Sequence, residues 1–305
     1  MPYDEFLQIE TLVRPREEDF QKYFMARERP VKIAGALGHW PAMQKWSLDY
    51  FQEKFGDESV RVECFEAGQR GPGNNSAQGY LKNQRIQKLK LGELIQILRD
   101  QPELMYYMAS HPFRKSFPGL REDLPAHPYA RRHIRRIPGA QMGSYLWIGP
   151  KGTHSPMHID PMPNFLTQVI GRKKVYLFPS EQVRKNLYIG QFERATYTVA
   201  DLFSPVDMEN PDFDKYPNFR YCTPYEVVIE PGESLHIPRN WGHCVISMDV
   251  SISVSTFFIS YPQLFKLAPG FFGDVVKRAF AGRRRNGMDN ERAGLNPPPR
   301  SGNAS

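Results

Sequence analysis

Alternation of apolar and polar residues is the strongest pattern in the chain, and it dominates from Leu104 onward. Side chains of a β-strand point alternately to its two faces, so this period of two predicts strands, and the Gly and Pro residues between them predict turns. Many short strands joined in this way favour a sandwich or a closed barrel. The predicted strands are ELMYYMAS (103–110), GSYLWIGP (143–150), PNFLTQVIG (163–171), KKVYLFP (173–179), YEVVIEPGESLHIP (225–238), HCVISMD (243–249) and SISVSTFF (251–258).

Helical spacing marks three stretches of the first 100 residues, where apolar residues recur three and four positions apart. One of these helices has both ends marked, by Ser47 as a candidate N-cap and by Gly56 as a candidate stop. We therefore expect residues 1–260 to form one domain, in which a helical N-terminal layer packs on a mainly β core. The predicted helices are EEDFQKYFMARE (17–28), WSLDYFQEKFG (46–56) and KLGELIQILRD (90–100), and the extended stretches between them are RPVKIAGAL (29–37) and SVRVECFEA (59–67).

Four further segments differ from their surroundings in composition. GQRGPGNNSAQG (68–79) is a long Gly/Pro/Asn loop, and both a lid over a site and a disordered loop are open for it. The acidic, Pro-rich and aromatic segment 207–224 predicts a packed loop insertion. Residues 261–281 predict a C-terminal helix, and the Arg/Gly/Asn/Pro-rich residues 282–305 predict a disordered tail.

The net charge of +7 is concentrated at the C-terminus. Residues 261–305 hold eight Lys/Arg and three Asp/Glu, so the other 260 residues carry a balance of only about +2. This distribution does not support attraction of the whole protein to nucleic acid. One internal basic patch, ARRHIRRIPG (130–139), can be a solvated face or a contact for an anion or RNA, and the first interpretation is preferred.

Cysteine usage and hydropathy predict a cytoplasmic protein. The three cysteines, Cys64, Cys222 and Cys244, are far apart and form no CxxC motif, which argues against a disulfide scaffold and a cysteine-zinc site. No apolar run approaches the roughly 18 residues that a membrane span needs. The N-terminus lacks the basic start and apolar stretch of a signal peptide.

A candidate metal site begins with His158 and Asp160, which lie two residues apart on a predicted strand. Positions i and i+2 of a strand project from the same face, so both side chains can reach one point. A third ligand has to come from elsewhere, and His243 at the start of a later strand is the candidate. Two histidines and one carboxylate form the facial triad of non-haem iron(II) oxygenases. Spacing alone leaves His154 and His236 open as rivals.

A candidate anion site lies on the strand that follows. Lys173 and Lys174 point to opposite faces, so at most one of them can face the interior of a barrel. An interior lysine is costly unless it pairs with an anion, whereas both lysines at an exposed strand end would cost nothing. Ser155 and Asn164 flank the His-x-Asp pair and could add hydrogen bonds.

Together these residues resemble the JmjC family of Fe(II)- and 2-oxoglutarate-dependent oxygenases, in its cupin-like hydroxylase branch. The resemblance covers roughly residues 15–260, and it implies a double-stranded β-helix (the cupin jelly roll) with the metal site at its open mouth. It assigns His158, Asp160 and His243 to iron. The matching motifs are SPMHID (155–160), PNFLTQVIGRKKVYLFP (163–179), PGESLHIPRNWGH (231–243) and the N-terminal RPVKIAGALGHWPAMQKWSLDYF (29–51).

The resemblance also implies a binding site for 2-oxoglutarate. Lys173 would pair with its distal carboxylate, and Ser155 stands where the family has a hydroxyl for the same group. Tyr106 occupies the place of an assisting tyrosine, although a shift of one residue would put Tyr107 there. Asn164 stands where the family has an asparagine lining the pocket.

The implied reaction is oxidation of a substrate C–H bond, coupled to conversion of 2-oxoglutarate to succinate and carbon dioxide. The compact layout favours hydroxylation of a protein side chain. A tRNA-modifying hydroxylase, a lysine demethylase and a catalytically silent cupin scaffold are the alternatives. The segment 261–281 could pair two subunits or pack on the barrel, so a homodimer is an open prediction.

Two positions depart from the family pattern, and both concern the shape of the pocket. Gly242 stands where relatives often carry a bulky aromatic residue, and we expect this glycine to widen the site. Ser255 replaces an asparagine that is common near the co-substrate. The resemblance leaves His154 and His236 as packing or supporting residues rather than ligands.

Overall fold

The computed structural model describes residues 5–64, 85–112, 116–130, 133, 143–190 and 202–259. The helices are α1 (Glu17–Phe20), which the π-helix Gln21–Met25 continues, α2 (Ala42–Lys45), α3 (Leu48–Phe55), α4 (Leu91–Asp100) and α5 (Leu120–Asp123). Short 3-10 helices cover Pro102–Leu104, Pro128–Ala130, Ser180–Gln182 and Pro217–Tyr221. The strands are β1 (Leu7–Gln8), β2 (Thr11–Val13), β3 (Val31–Ala34), β4 (Ser59–Cys64), β5 (Arg85–Lys90), β6 (Met108–His111), β7 (Gly143–Gly149), β8 (His154–Ile159), β9 (Asn164–Ile170), β10 (Lys173–Phe178), β11 (Tyr225–Ile229), β12 (Ser234–Ile237), β13 (Gly242–Ser247) and β14 (Ser251–Phe257).

Two sheets make up the body of the protein. One has the strand order β1-β11-β10-β13-β8, the second has the order β2-β3-β12-β9-β14-β7-β6, and β4 pairs with β5 in a separate hairpin. From β7 to β14 the chain changes sheet at every step except between β10 and β11, and the ladders among these eight strands are antiparallel. This alternation between two facing sheets is the jelly roll, so the predicted fold class is confirmed.

The space between the two sheets holds one apolar cluster, to which both sheets contribute. The outer face of the seven-stranded sheet is covered by α2 to α4, and the outer face of the five-stranded sheet is covered by the chain between β10 and β11. Strands covered on both faces bury almost every residue, as β9 does. The members of the inner cluster are Ile9, Leu166, Val175, Leu177, Val227, Ile229, Leu235, Ile237 and Trp241.

The predicted helices are present, with one correction to their bounds. Ser47 caps α3 by accepting a hydrogen bond from the backbone N–H of Tyr50 at 3.0 Å, as its position in the sequence indicates. The helix predicted over 17–28 ends at Met25, and its second half is wound as a π-helix. There the N–H of Ala26 bonds to the carbonyl of Gln21, five residues back.

Several predictions concern residues that the structure does not describe. They are the loop 68–79, the segment 261–281, the tail 282–305 and most of the basic patch 130–139. The segment 207–224 is described, and it packs on the five-stranded sheet through residues that include Met208 and Phe219, as predicted for a packed insertion. Among the helices of the described ranges, none is both long and apolar enough to cross a membrane.

His236 generates a prediction for stability against acid. Its ring lies in an apolar cluster against Phe20 and Phe165, its Nδ1 bonds to the carbonyl of Arg29 at 3.1 Å, and its Nε2 is buried without a hydrogen-bond partner. Burial lowers the pKa of His236 from 6.5 to about 4. Between pH 6.5 and about 4 the unfolded chain therefore binds a proton at His236 that the folded chain does not bind. The free energy of unfolding consequently falls as the pH falls.

We expect His236→Leu to make the free energy of unfolding less sensitive to pH. Between pH 6.5 and 5 the wild-type protein should lose about 2 kcal/mol through this one group, and the variant should not. Urea unfolding at a series of pH values measures both slopes. The matched control is His39→Leu at an exposed position, which should keep the wild-type slope. Equal slopes in wild type and His236→Leu would contradict the prediction.

Candidate active site

The pairing of β8 with β13 brings the three predicted metal ligands together. His158 and His243 are directly opposite one another in this antiparallel ladder, and Asp160 follows the end of β8. One ligand atom from each of the three residues can be chosen so that all lie within 4.8 Å of one another. The carboxylate of Asp160 lies 3.4 Å from Nε2 of His243 and 4.0 Å from Nε2 of His158. The predicted cluster is therefore formed by the fold itself.

Backbone contacts fix the orientation of each group in this cluster. Nδ1 of His158 lies 2.7 Å from the carbonyl of Pro156, and Nδ1 of His243 lies 2.9 Å from the carbonyl of Trp241. A carbonyl can only accept, so each Nδ1 donates, and Nε2 is the nitrogen that each ring directs toward Asp160 and the position of a metal. The backbone N–H of Asn240 donates to the carbonyl of Asp160 at 2.8 Å and ties the two loops together.

Protonation states in the cluster suit a divalent metal. Burial, reinforced by the neighbouring His243, lowers the pKa of His158 to about 4, so this imidazole is neutral at pH 7. Burial alone would raise the pKa of Asp160, but contacts with His243, His158 and Asn164 hold it below its ordinary value. A neutral imidazole and an ionised carboxylate are the ligand forms that ferrous iron takes in a facial triad.

The two rival histidines lie outside this cluster. His154 is at the start of β8, where it pairs with Ile246, and His236 packs among the aromatic residues of a separate cluster. Among the described residues, the group of His, Cys, Asp and Glu that could hold a metal ion consists of His158, Asp160 and His243.

A cavity of about 540 Å³ opens beside the triad, and Lys173 lies in its wall. The side chain of Lys173 is 2% exposed, and its Nζ lies 3.3 Å from the hydroxyl of Tyr107. Lys174 points to the opposite face and pairs with Glu226 at 3.4 Å. On β10, Leu177 is opposite His243, so Lys173 starts four residues, or about 13 Å of backbone, from the triad.

Ser155 and Asn164 also line the cavity, as the sequence predicted. Asn164 is buried at the start of β9, and its side chain hydrogen-bonds to Asp160. Its Oδ1 has no partner within the described residues. The amide therefore contacts the triad through its N–H group, and its oxygen is left for a bound molecule.

The prediction for Tyr106 is wrong, because Tyr107 is the tyrosine beside Lys173. Tyr106 packs under the helical layer, with its hydroxyl 3.4 Å from Gln87. Just before this pair, Met105 has a left-handed backbone with a φ of 54°. Tyr107 then pairs with Glu63 of β4 through two backbone hydrogen bonds of 2.8 Å, which directs its ring into the cavity.

The expectation for Gly242 is also wrong. A Cβ atom at this position would lie 2.3 Å from Cδ1 of Leu187 and 3.4 Å from Cβ of Phe178, both of which belong to the outer cluster of the five-stranded sheet. Leu187 fills the space that a larger side chain would need, so this glycine does not widen the cavity. Ser255 does line the cavity, where it accepts a hydrogen bond from Nε1 of Trp147 at 3.0 Å.

Sequence reasoning missed several residues of the cavity wall. Trp147 is the largest, and Arg61 and Glu63 come from β4. The alternation of β7 puts Trp147 on the face of Tyr145, which the same pattern could have shown. Nothing in the sequence of β4 indicates that this hairpin reaches the mouth of a barrel.

Residues 17–263 match the family model described as "Cupin-like domain", which is most of the chain. This chain belongs to the cupin-like domain family. It is 32% identical over 243 residues to Lysine-specific demethylase 8 of Xenopus tropicalis, a match that covers 79% of this chain and 50% of that protein. It is 31% identical over 240 residues to Lysine-specific demethylase JMJ30 of Arabidopsis thaliana, covering 78% and 52%. The chain thus spans about half the length of these two relatives.

A third relative matches over more of its own length. The chain is 27% identical over 280 residues to tRNA wybutosine-synthesizing protein 5 of Gallus gallus, covering 84% of this chain and 78% of that protein. These relatives confirm the resemblance to the JmjC group, whose members use Fe(II) and 2-oxoglutarate. The residues of this site fit Fe(II) and 2-oxoglutarate. The triad offers two imidazole nitrogens and a carboxylate to the metal, and Lys173 offers a buried cation to the co-substrate.

Asp160→Ala should strongly weaken metal binding while leaving the fold intact. It leaves two imidazole ligands without the anion that balances a divalent cation, so we expect the affinity for Mn(II) to fall at least about a hundredfold. Calorimetric titration with Mn(II) measures the loss, and circular dichroism checks the fold. Asp249→Ala is the matched control, since Asp249 pairs with Arg172 on the surface. Wild-type affinity in Asp160→Ala would show that the metal is bound elsewhere.

Lys173→Ala should chiefly raise the requirement for 2-oxoglutarate. Loss of a buried cation that pairs with a carboxylate costs at least about a hundredfold in KM. Burial lowers the pKa of Lys173 to about 7, so the free protein loses this charge as the pH rises above 7. The wild-type KM should therefore rise up to about tenfold per pH unit there, because binding then requires uptake of a proton.

Steady-state succinate formation between pH 6 and 9 measures both effects of Lys173. The rise of KM with pH should be absent in Lys173→Ala and unchanged in Lys174→Ala, which removes the neighbouring charge from the other face. A KM for Lys173→Ala close to the wild-type value would contradict the assignment of this lysine.

Proposed function

We propose that this protein is an Fe(II)- and 2-oxoglutarate-dependent dioxygenase that hydroxylates a side chain of another protein. The observation that carries the proposal is the content of one cavity, in which a His-Asp-His cluster and a buried lysine face the same space. The His-Asp-His cluster would bind the metal, and the buried lysine would bind the acidic co-substrate of the same reaction. A protein with a purely structural barrel has no need to bury either the carboxylate or the lysine.

When bound, Fe(II) and 2-oxoglutarate supply the oxidation of a C–H bond by oxygen, with release of succinate and carbon dioxide. The contribution of the chain is positioning and exclusion of water. His158, Asp160 and His243 would hold the metal on one side, and Lys173 with the hydroxyl of Tyr107 would bind the distal carboxylate. Apolar side chains in the wall of the same cavity would help to exclude water, and they include Leu166, Ile237, Val245 and Phe257.

A protein substrate is supported by the two demethylase relatives, because their names specify lysine.

One observation favours a second candidate, a tRNA-modifying hydroxylase. The wybutosine-synthesizing relative is matched over 78% of its length, whereas the two demethylase relatives are matched over about half of theirs. A lysine demethylase is a third possibility within the same chemistry, because oxidation of an N-methyl carbon releases formaldehyde. The cytoplasmic location, the homodimer through 261–281 and the preference for protein over tRNA stay predictions.

The first experiment is anaerobic titration of the Fe(II)-loaded protein with 2-oxoglutarate, followed by visible absorption. We expect a weak metal-to-ligand charge-transfer band that is lost in His243→Ala. A folded, iron-loaded wild-type protein without this band would overturn the oxygenase proposal and favour a scaffold.

A second measurement separates the candidate substrates once the band is present. Succinate formation is compared without substrate, with pooled peptides that contain methylated and unmethylated lysine, and with total tRNA. A gain of one oxygen atom in a peptide supports the hydroxylase. Formaldehyde release supports a demethylase, and stimulation by tRNA alone supports the RNA-modifying alternative.

A further inference from the structure

The geometry around Lys173 points to a positioning role for Trp147. We propose that Trp147 and Tyr107 form an aromatic box that holds the Lys173 ammonium in place for the distal carboxylate of the co-substrate. This inference rests on the proposed function and adds a residue to it. Trp147 acts on the co-substrate through Lys173, so it is a positioning residue rather than a catalytic one.

Two ring faces lie close to the buried ammonium. Nζ of Lys173 is 5.6 Å from the ring centroid of Tyr107 and 5.8 Å from the ring centroid of Trp147. The two rings are 5.9 Å apart and inclined by 36°, so they form two adjoining walls. Both distances lie within the range in which the negative face of an aromatic ring attracts a cation.

The chemistry of this box suits a lysine that has to bind an anion. Within the described residues, no carboxylate oxygen forms an ion pair with Lys173, and its hydrogen bond goes to the neutral hydroxyl of Tyr107. An aromatic face stabilises an ammonium group without neutralising it. A carboxylate in the same place would form a salt bridge and compete with the co-substrate. The box therefore offsets part of the cost of burying the ammonium group and does not neutralise its charge.

Each wall of the box is held by a contact of its own. Nε1 of Trp147 donates to Oγ of Ser255 at 3.0 Å, and Ser255 is 2% exposed on the neighbouring strand β14. Gly149 makes room for the ring of Tyr107, because a Cβ at this glycine would lie 2.5 Å from Cδ2 of Tyr107. Trp147 and Gly149 are two residues apart on β7, so one strand face builds both walls.

Positioning matters because lysine has a long, flexible side chain. Four rotatable bonds separate the backbone from Nζ, and ordering them on binding would cost affinity. A box that already holds the ammonium removes this cost. The effect should appear in the binding of 2-oxoglutarate and not in the rate of the reaction once it is bound.

The test compares Trp147→Phe, Trp147→Leu and Ser255→Ala with wild type. Calorimetric titration of the Mn(II)-loaded proteins with 2-oxoglutarate gives Kd, and succinate formation by the Fe(II)-loaded proteins gives KM and kcat. Trp147→Leu should raise Kd and KM roughly tenfold with little change in kcat. Trp147→Phe keeps a ring face and should recover most of the affinity, and Ser255→Ala should fall between them.

Lys174→Met is the control, because it removes a lysine from the outer face of the same strand. The box does not contact the metal ligands, so the affinity for Mn(II) should be the same in all variants. An unchanged affinity shows that the site is folded. An unchanged Kd for 2-oxoglutarate in Trp147→Leu, with wild type binding normally, would overturn the positioning role alone. A wild-type protein that binds Mn(II) but not 2-oxoglutarate would overturn the proposed function and this inference together.

Discussion

The register between β8 and β13 is the constraint on which the site depends. It sets His158 opposite His243, and a slip of one residue would turn one of the two imidazoles to the outer face. The register is held on both sides, since β13 also pairs with β10 over six residues, and the N–H of Asn240 bonds to the carbonyl of Asp160. Because β10 pairs with the other edge of β13, the register of that second ladder fixes where Lys173 lies relative to the triad.

Burial acts on the two charges of the cavity with different results. Burial alone would raise the pKa of Asp160, but its contacts with His243, His158 and Asn164 hold that pKa below its ordinary value. Lys173 has a phenol and two ring faces instead, so burial lowers its pKa to about 7. The cavity therefore presents a set of metal ligands whose carboxylate is already stabilised, together with a lysine whose charged form an incoming anion would stabilise. This asymmetry is what a metal and an acidic co-substrate require together.

Patterns of period two predicted most of the strands and placed His158 and Asp160 on one strand face, whereas the resemblance to the JmjC family supplied His243 as the third ligand and Lys173 as the inward lysine. Such patterns fail where the backbone departs from a regular strand. Tyr106 and Tyr107 were exchanged because Met105 has a left-handed backbone and β6 pairs irregularly with β7, and neither feature has a signature in MYYM. Apolar spacing does not distinguish an α-turn from a π-turn either, so it did not show that the second half of the helix predicted over 17–28 is a π-helix. The reach of β4 into the cavity depends on pairing with a distant segment.

The face of the sheet to which a residue points also decides whether a departure from the family pattern changes the cavity. Gly242 immediately precedes an inward-facing ligand, so its own position faces outward, where Leu187 fills the space. The alternation that places His243 in the site thus excludes its neighbour, and the sequence already contained that argument. Ser255 lies on the inner face, and its small side chain leaves room for Trp147 while bonding to the indole. The glycine therefore changes the packing of the outer layer, whereas the serine changes the wall of the cavity in which the co-substrate would bind.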